Sequence, residues 1–143
     1  MIVPDVNLLL YATIDSFPHH TSARRWWEDS INSNQPIGLV DPAVFGFLRI
    51  STNRRILDPP LSIERACAHI ESWDLQPNVS RLVGGSEFVG IALDMLKTAG
   101  TAGNLTTDAQ IAALAVEHGA TVYSNDTDFA RFPDVKWVNP LRT

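Results

Sequence analysis

Four aspartates follow or precede short apolar segments of this chain, at positions where carboxylates could do chemistry. Asp5 follows the N-terminal apolar segment, Asp126 and Asp128 follow a second apolar segment, and Asp108 lies near the start of an amphipathic stretch. Carboxylates gathered without cations repel by about 4 kcal/mol per pair at about 4 Å and an effective dielectric of about 20. Such a cluster needs either a retained proton or a hard divalent cation such as Mg²⁺ or Mn²⁺. We favour the cation.

The segment 104–129 is the part of the chain that would bring three of these aspartates together. It predicts a helix capped by Thr106 or Thr107, a stop at Gly119 and a strand over 120–123. In a parallel α/β sheet, the residues just beyond the carboxyl ends of the strands form the edge that carries sites. If the N-terminal strand lies centrally beside strand 120–123, then Asp5, Asp108 and Asp126 converge at that edge.

Short strands alternate with helices along the chain, which predicts a three-layer α/β/α sandwich on a mainly parallel central sheet. With 143 residues, we expect one domain covering 1–143. Asp41 followed by Pro42 predicts the N-cap and first turn of the third helix. The predicted strands are 2–4, 37–40, 79–82, 120–123 and 136–138, and the predicted helices are 8–13, 21–31, 43–52, 62–73, 85–98 and the one that ends at Gly119.

Composition places the chain among ordinary globular proteins. Its hydrophobic fraction is 45%, and its net charge of −5 argues against nucleic-acid binding driven by overall charge while suiting a partner with a basic arm. A single cysteine, Cys67, allows no disulfide within the chain, which favours a reducing cytoplasm. We expect no signal peptide, because no basic residue precedes the N-terminal apolar run. We expect no membrane span, because no apolar run is long enough.

Four segments together resemble the PIN-domain family, and specifically the VapC-type ribonuclease toxins. They are PDVNLL at 4–9, FLRISTN at 47–53, NLTTDA at 104–109 and SNDTDF at 124–129. The resemblance covers essentially the whole chain. It implies a metal-dependent endoribonuclease that uses Mg²⁺ or Mn²⁺, is the toxin of a type II toxin–antitoxin pair, is inhibited by a cognate VapB-type antitoxin and works as a homodimer.

The resemblance also assigns roles within the acidic cluster. We expect Asp5, Asp108 and Asp126 to be metal ligands, and Asp128 to support them or to hold a second ion. Asn7 and Ser124 would keep the ligands in orientation through hydrogen bonds. Purely structural roles remain open: Asp5 as a helix cap, Asp108 as a first-turn acid, and Asp126 with Asp128 as an Asx-turn pair.

Two further features bear on activity. Arg49, Arg54 and Arg55 lie near the end of the third helix, where they would contact RNA phosphates or simply form a solvated basic face. Many family members carry a glutamate in that helix at the position that Gly46 appears to occupy here. Its loss would leave fewer ligands, so the alternative is a degenerate PIN domain that binds RNA or antitoxin without cleavage.

Overall fold

A five-stranded parallel sheet forms the centre of the protein, in the order β3-β2-β1-β4-β5. The structure is a computed structural model, and it describes residues 1–142. The sheet is wholly parallel, as each neighbouring pair of strands shows. The strands are β1 (Ile2–Pro4), β2 (Ile37–Val40), β3 (Val79–Leu82), β4 (Thr121–Tyr123) and β5 (Lys136–Val138).

Six α-helices cover this sheet. The chain steps outward from β1 to β2 and β3, then returns to β4 and β5 on the other side of β1. Because parallel crossovers are right-handed, the outward steps place α1 to α4 on one face and the return places α5 and α6 on the other. The helices are α1 (Val6–Thr13), α2 (His20–Ile31), α3 (Asp41–Ser51), α4 (Ile63–Asp74), α5 (Phe88–Ala99) and α6 (Thr106–Glu117). The predicted three-layer α/β/α class is confirmed.

The central position of β1 follows from its sequence. All three residues of β1 and all four of β2 are buried, as expected of strands covered on both faces. β1 pairs with β4 through Ile2 and Thr121, Val3 and Val122, and Pro4 and Tyr123. The edge strands β3 and β5 are more exposed and carry charged residues such as Arg81 and Lys136.

Helix caps account for the main differences from the predicted elements. Asp41 is not the N-cap of α3: Val40 holds that position, and Asp41 lies in the first turn, where its carboxylate pairs with Arg81 at 3.4 Å. Neither Thr106 nor Thr107 caps α6, because the 3-10 helix Gly103–Leu105 runs directly into it. Neither helix therefore begins with a side-chain cap.

Other predicted ends are confirmed. Ser62 caps α4 by accepting a hydrogen bond from the backbone N–H of Arg65 at 3.2 Å. Gly119 ends the sixth helix with φ of +65°, a left-handed conformation that glycine adopts without steric cost. Within residues 1–142, no helix combines the length and apolar character needed to cross a membrane.

Candidate metal centre

The carboxyl ends of β1 and β4 form the point where the strand order reverses. β1 lies between β2 and β4, so the chain leaves β1 and β4 in opposite directions across the sheet. Such a switch point opens a crevice at the sheet edge. Asp5 follows β1, and the segment that begins with Ser124 follows β4. The predicted convergence of the two strand ends is confirmed.

Asp5 is held rigidly at this edge. Only 4% of its surface is exposed, and it is the N-cap of α1, with Oδ1 accepting a hydrogen bond from the Val6 N–H at 2.7 Å. Its other oxygen, Oδ2, accepts a hydrogen bond from the Ser124 hydroxyl at 2.6 Å. Asp5 therefore has the capping role that the sequence left open, and the cap aims its carboxylate at the end of β4.

Ser124 connects three residues of the site through one hydroxyl. The Oγ of this fully buried serine donates a hydrogen bond to Asp5. It accepts one from the Asp126 N–H at 2.9 Å and another from Nδ2 of Asn7 at 3.3 Å. A hydroxyl offers one donor and two acceptor positions, and all three are used here. This arrangement fixes the position of Asp5 relative to the loop that carries Asp126.

A second set of hydrogen bonds fastens that loop to β5. The indole Nε1 of Trp137 donates to the Ser124 carbonyl at 3.0 Å, and Asn139 Nδ2 donates to Asn125 Oδ1 at 3.0 Å. The Asn125 N–H in turn donates to Asn7 Oδ1 at 3.4 Å. Sequence reasoning missed Asn125, Trp137 and Asn139, although Asn139 follows a predicted strand at the same sheet edge.

Three carboxylates meet beside Asp5. Asp108, Asp126 and Asp128 each place one oxygen within 4.8 Å of the others, and all three are half-buried. Asp126 also caps the 3-10 helix Thr127–Arg131, with Oδ1 accepting the Asp128 N–H at 2.9 Å. This is the Asx-turn role considered from the sequence. It leaves the other oxygen of Asp126 available to the cluster.

The composition of this group differs in one respect from the predicted ligand set. Asp128 belongs to the group with Asp108 and Asp126. Within residues 1–142, Asp5 is not among the carboxylates whose oxygens lie within 4.8 Å of one another. Asp5 is nevertheless close enough for its charge to act on Asp108. Both oxygens of Asp5 already accept hydrogen bonds.

Burial and mutual repulsion act on the protonation of two of these acids. Burial raises the pKa of Asp5 to about 6, partly opposed by its hydrogen bonds to Ser124 and Val6. Burial, together with the charges of Asp5, Asp126 and Asp128, raises the pKa of Asp108 to about 7. The folded chain therefore holds these carboxylates in a state that ionises reluctantly unless a positive charge joins them.

That positive charge does not come from the side chains of residues 1–142. Their carboxylate ion pairs join Arg24 to Glu28 and Arg81 to Asp41 and Asp74, all away from the acidic group. Around an octahedral Mg²⁺ ion, adjacent oxygens lie about 2.9 Å apart and opposite oxygens about 4.2 Å apart. Three oxygens within 4.8 Å of one another are near enough to bind one such ion after small side-chain movements. The donor set, all carboxylate oxygen, suits Mg²⁺ or Mn²⁺.

The geometry and the order of the motifs agree with a comparison against known families. A family model described as the PIN domain matches residues 2–135. The chain belongs to the PIN domain family.

The VapC resemblance seen in the sequence is confirmed by full-length relatives. Ribonuclease VapC33 of Mycobacterium tuberculosis (strain ATCC 25618 / H37Rv) is 52% identical over 142 residues, which are 99% of each chain. Ribonuclease VapC37 of the same strain is 34% identical, covering 98% of this chain and 97% of the relative.

Solved PIN structures share the fold at much lower sequence identity. The VapBC-1 structure from nontypeable Haemophilus influenzae matches with a TM-score of 0.69 and 18% identity, covering 99% of this chain and 100% of that one. VapBC2 from Rickettsia felis, solved with a DNA fragment from its promoter, matches with a TM-score of 0.68 and 19% identity over 97% and 98%. At this identity the likeness supports the fold alone.

Gly46 of this PIN domain lies against the start of α1. It is buried, and a Cβ atom built on it would lie 2.6 Å from Cγ2 of Val6. The space that a longer side chain would need is therefore filled by the residue that follows Asp5. Sequence reasoning singled out Gly46 but gave no signal for Val6, because their contact joins two distant helices.

The predicted RNA-binding arginines lie on the surface of the PIN domain. Arg49 is exposed on α3, and Arg54 and Arg55 are exposed in the turn that follows it. None of the three forms an ion pair with a carboxylate within residues 1–142. Their role in RNA binding stays a prediction.

Proposed function

We propose that this PIN domain is a metal-dependent endoribonuclease and the toxin of a type II toxin–antitoxin pair. One observation carries the proposal: Asp108, Asp126 and Asp128 gather their carboxylates beside Asp5 without a compensating side-chain cation within residues 1–142. The names of the relatives, Ribonuclease VapC33 and Ribonuclease VapC37, support RNA as the substrate.

We assign Mg²⁺, with Mn²⁺ as a substitute, to ligands drawn from Asp108, Asp126 and Asp5, with Asp128 beside them. A bound divalent ion supplies a nucleophile by lowering the pKa of water, and it neutralises charge that develops on the scissile phosphate. The carboxylates would hold the ion, and Asp108, whose pKa is raised to about 7 by burial and repulsion, would have to be ionised for the ion to bind.

The surrounding hydrogen bonds keep these carboxylates in place. Ser124 restrains Asp5 through its hydroxyl and Asp126 through its backbone N–H. Asn7 stabilises that hydroxyl and the following loop. Partners of metal ligands typically change affinity or activity by about 10- to 100-fold when removed. We therefore assign Asn7 and Ser124 an orienting role rather than direct contact with the ion.

The proposed partners follow from membership among VapC relatives. A cognate VapB-type antitoxin would cover the acidic crevice with a C-terminal segment, and a basic residue there would pair with the half-buried acids. A homodimer acting in the cytoplasm completes the proposal. Deletion of the C-terminal segment of the antitoxin should abolish inhibition; unchanged inhibition by the shortened antitoxin would contradict this mode.

Cleavage of purified total RNA tests the activity directly. Discrete products are expected with Mg²⁺ or Mn²⁺ and not with EDTA, and the Asp108→Asn and Asp126→Asn variants should not form them. Asp94→Asn, which removes an exposed carboxylate from α5, is the matched control and should cleave normally. Products that persist in both site variants would sink the assignment.

The alternative is a PIN domain that binds RNA or antitoxin without cutting. Gly46 motivates it, because it stands where the resemblance to the family implies a glutamate, and Val6 occupies the space beside it. Such a protein would bind RNA equally well as wild type and as Asp5→Asn, with no metal-sensitive products. An active enzyme instead loses its products in that variant.

A further inference from the structure

Asn139 lies just beyond the carboxyl end of β5, at the same edge of the parallel sheet as the acidic group. It is half-buried, and both ends of its side-chain amide form hydrogen bonds. Its Nδ2 donates to Oδ1 of Asn125 at 3.0 Å, and its Oδ1 accepts the Leu141 N–H at 3.0 Å. Because the Leu141 side chain packs against the core, Asn139 is anchored to the body of the fold.

Leu141 determines which way the Asn139 amide points. A backbone N–H can only donate, so the amide oxygen of Asn139 faces Leu141 and the NH2 group faces Asn125. A turn in which an asparagine side chain bonds its own backbone two residues on needs only the oxygen. The NH2 group has no part in the turn, and it holds the loop that follows β4.

From Asn125 the hydrogen bonds continue to the acidic group. The Asn125 N–H donates to Asn7 Oδ1 at 3.4 Å, which leaves Nδ2 of Asn7 to donate to the Ser124 hydroxyl at 3.3 Å. The Ser124 oxygen also accepts the Asp126 N–H, so both of its acceptor positions are used. Its single proton is therefore directed to Asp5, to which it donates at 2.6 Å.

The contacts that hold Ser124 itself do not replace Asn139. The Trp137 indole N–H donates to the Ser124 carbonyl, and the Ser124 N–H donates to the Val138 carbonyl, each at 3.0 Å. Both contacts fix the backbone at the end of β4. Within residues 1–142, the side chain of Asn125 forms its hydrogen bond with Asn139 alone. The position of Asn125 therefore depends on Asn139.

We propose that Asn139 is a positioning residue of the acidic site, acting through Asn125 and Asn7 on the hydroxyl of Ser124. Several hydrogen bonds separate it from Asp5, so its effect requires no contact with the ion. Loss of its side chain frees Asn125 and loosens the loop, and the Ser124 proton is no longer directed to Asp5 alone. This inference rests on the proposed metal-dependent function and adds to it a residue beyond β5 that sets the affinity for the ion.

Calorimetric titration with Mn²⁺ alone tests the assignment. Asn139→Ala should weaken Mn²⁺ binding about three- to tenfold, less than the loss of about 10- to 100-fold typical of direct partners of metal ligands, because Asn139 lies farther out. Asn125→Ala should weaken binding equally, although it leaves the turn at Asn139 intact. Because the two residues act through one contact, the double variant should bind no more weakly than either single variant.

The control for these titrations is Asn34→Ala. It removes an exposed asparagine side chain from the segment before β2, at the end of the sheet away from the site. Its Mn²⁺ affinity should equal that of wild type. If only the turn mattered, Asn139→Ala would weaken binding and Asn125→Ala would not, a result that would overturn the inference.

Amide hydrogen exchange of the metal-free protein gives a readout that is independent of the ion and of cleavage. In Asn139→Ala, the N–H groups of Asn125 and Asp126 should exchange faster, because their acceptors are no longer held in place. The Ser124 N–H, bound to the Val138 carbonyl, should keep its rate. Faster exchange at Ser124 as well would mean that β5 has detached, which is a general loss of structure and overturns the inference.

The two measurements separate this inference from the proposed function. If wild-type protein binds no Mn²⁺, the proposed metal chemistry fails, while the exchange rates still decide whether Asn139 holds the loop. Wild-type Mn²⁺ affinity in Asn139→Ala overturns the inference. Effects of Asn139→Ala and Asn125→Ala that add in the double variant also overturn it, because the two residues would then act separately.

Discussion

Gly46 and Val6 face each other where α3 crosses α1, and a Cβ atom on Gly46 would lie 2.6 Å from Cγ2 of Val6. Val6 is the first residue of α1 and follows Asp5, whose carboxylate it binds through its backbone N–H. Any side chain added at Gly46 therefore pushes on the residue that positions an acid of the site. The packing of Val6 against Gly46 therefore both excludes a glutamate at position 46 and helps to place Asp5.

Gly46→Ala should destabilise the protein even though alanine favours helices. Overpacking costs about 1–3 kcal/mol and the gain in helix propensity is at most about 1 kcal/mol, so the free energy of unfolding should fall. Urea denaturation measures it. Gly90→Ala in α5 is the control, because nothing lies within 4 Å of its Cβ, and this change should be neutral or stabilising.

The companion change Val6→Ala should relieve the strain. In the double variant with Gly46→Ala, the two changes should be strongly non-additive, since the removed methyl groups are those that the new Cβ meets. Additive effects in this double-mutant cycle would show that the contact is absent in solution. Restoring a glutamate at Gly46 is expected to succeed only in the Val6→Ala background.

Asp108→Asn should stabilise the metal-free protein at neutral pH. Burial and the charges of three neighbouring aspartates oppose ionisation of Asp108, and the amide removes that opposition. The same change should weaken Mn²⁺ binding at least tenfold, measured by calorimetry, because one of three grouped carboxylates is lost. A less stable variant that binds Mn²⁺ normally would contradict both the electrostatics and the ligand assignment. Such opposite effects on stability and function are typical of active sites.

The stability of the metal-free protein should depend on pH through Asp5. Burial raises its pKa to about 6 in the folded chain, above the value of about 3.9 in an unfolded chain. The folded state then binds more protons than the unfolded state, so stability is full below about pH 4 and falls as pH rises through about 6. The contribution is about 3 kcal/mol, from a shift of about two pKa units. Denaturation of wild type and of Asp5→Asn, measured between about pH 4 and about pH 6, isolates the contribution of Asp5 to the free energy of unfolding.

Added Mg²⁺ should reverse this trend. The ion binds ionised carboxylates, so its stabilisation grows as pH rises through the raised pKa values of Asp5 and Asp108. A thermal-shift titration at two pH values measures the effect, with Ca²⁺ as a comparison for size selectivity. Equal stabilisation at both pH values would place the ion away from these acids.

Ser124→Ala should lower both stability and metal affinity, although it removes only one hydroxyl group. The change leaves the buried Oδ2 of Asp5 without its donor and the half-buried N–H of Asp126 without its acceptor. We expect a loss of about 1–3 kcal/mol in stability and about 10- to 100-fold in metal affinity. Ser80→Ala, which removes an exposed hydroxyl from β3, should change neither.

The order of elements, and the sheet edge at which the acidic residues gather, were predictable from the sequence. Alternation of short apolar runs with amphipathic stretches predicts parallel strands joined by helices, and parallel strands direct their carboxyl ends to one edge. That rule placed Asp5 and Asp126 together once β1 and β4 were taken as neighbours, because Asp5 follows β1 directly and Asp126 lies three residues beyond the end of β4. Gly119 and Ser62 were also predictable, since glycine stops and serine caps depend on local backbone geometry.

Distances between side chains were decided by the tertiary structure. Periodicity gives the face of a helix but not its depth above the sheet, so it could not show that Asp128 lies with Asp108 and Asp126 while Asp5 is bound by Ser124. Nor could it find Val6 opposite Gly46, which are 40 positions apart and meet only because α1 and α3 pack on the same face. The start of α3 directly after β2 and of α6 directly after the 3-10 helix, both without side-chain caps, was likewise set by the preceding elements. Contacts between distant segments depend on how whole elements pack, and no local pattern of residues encodes that packing.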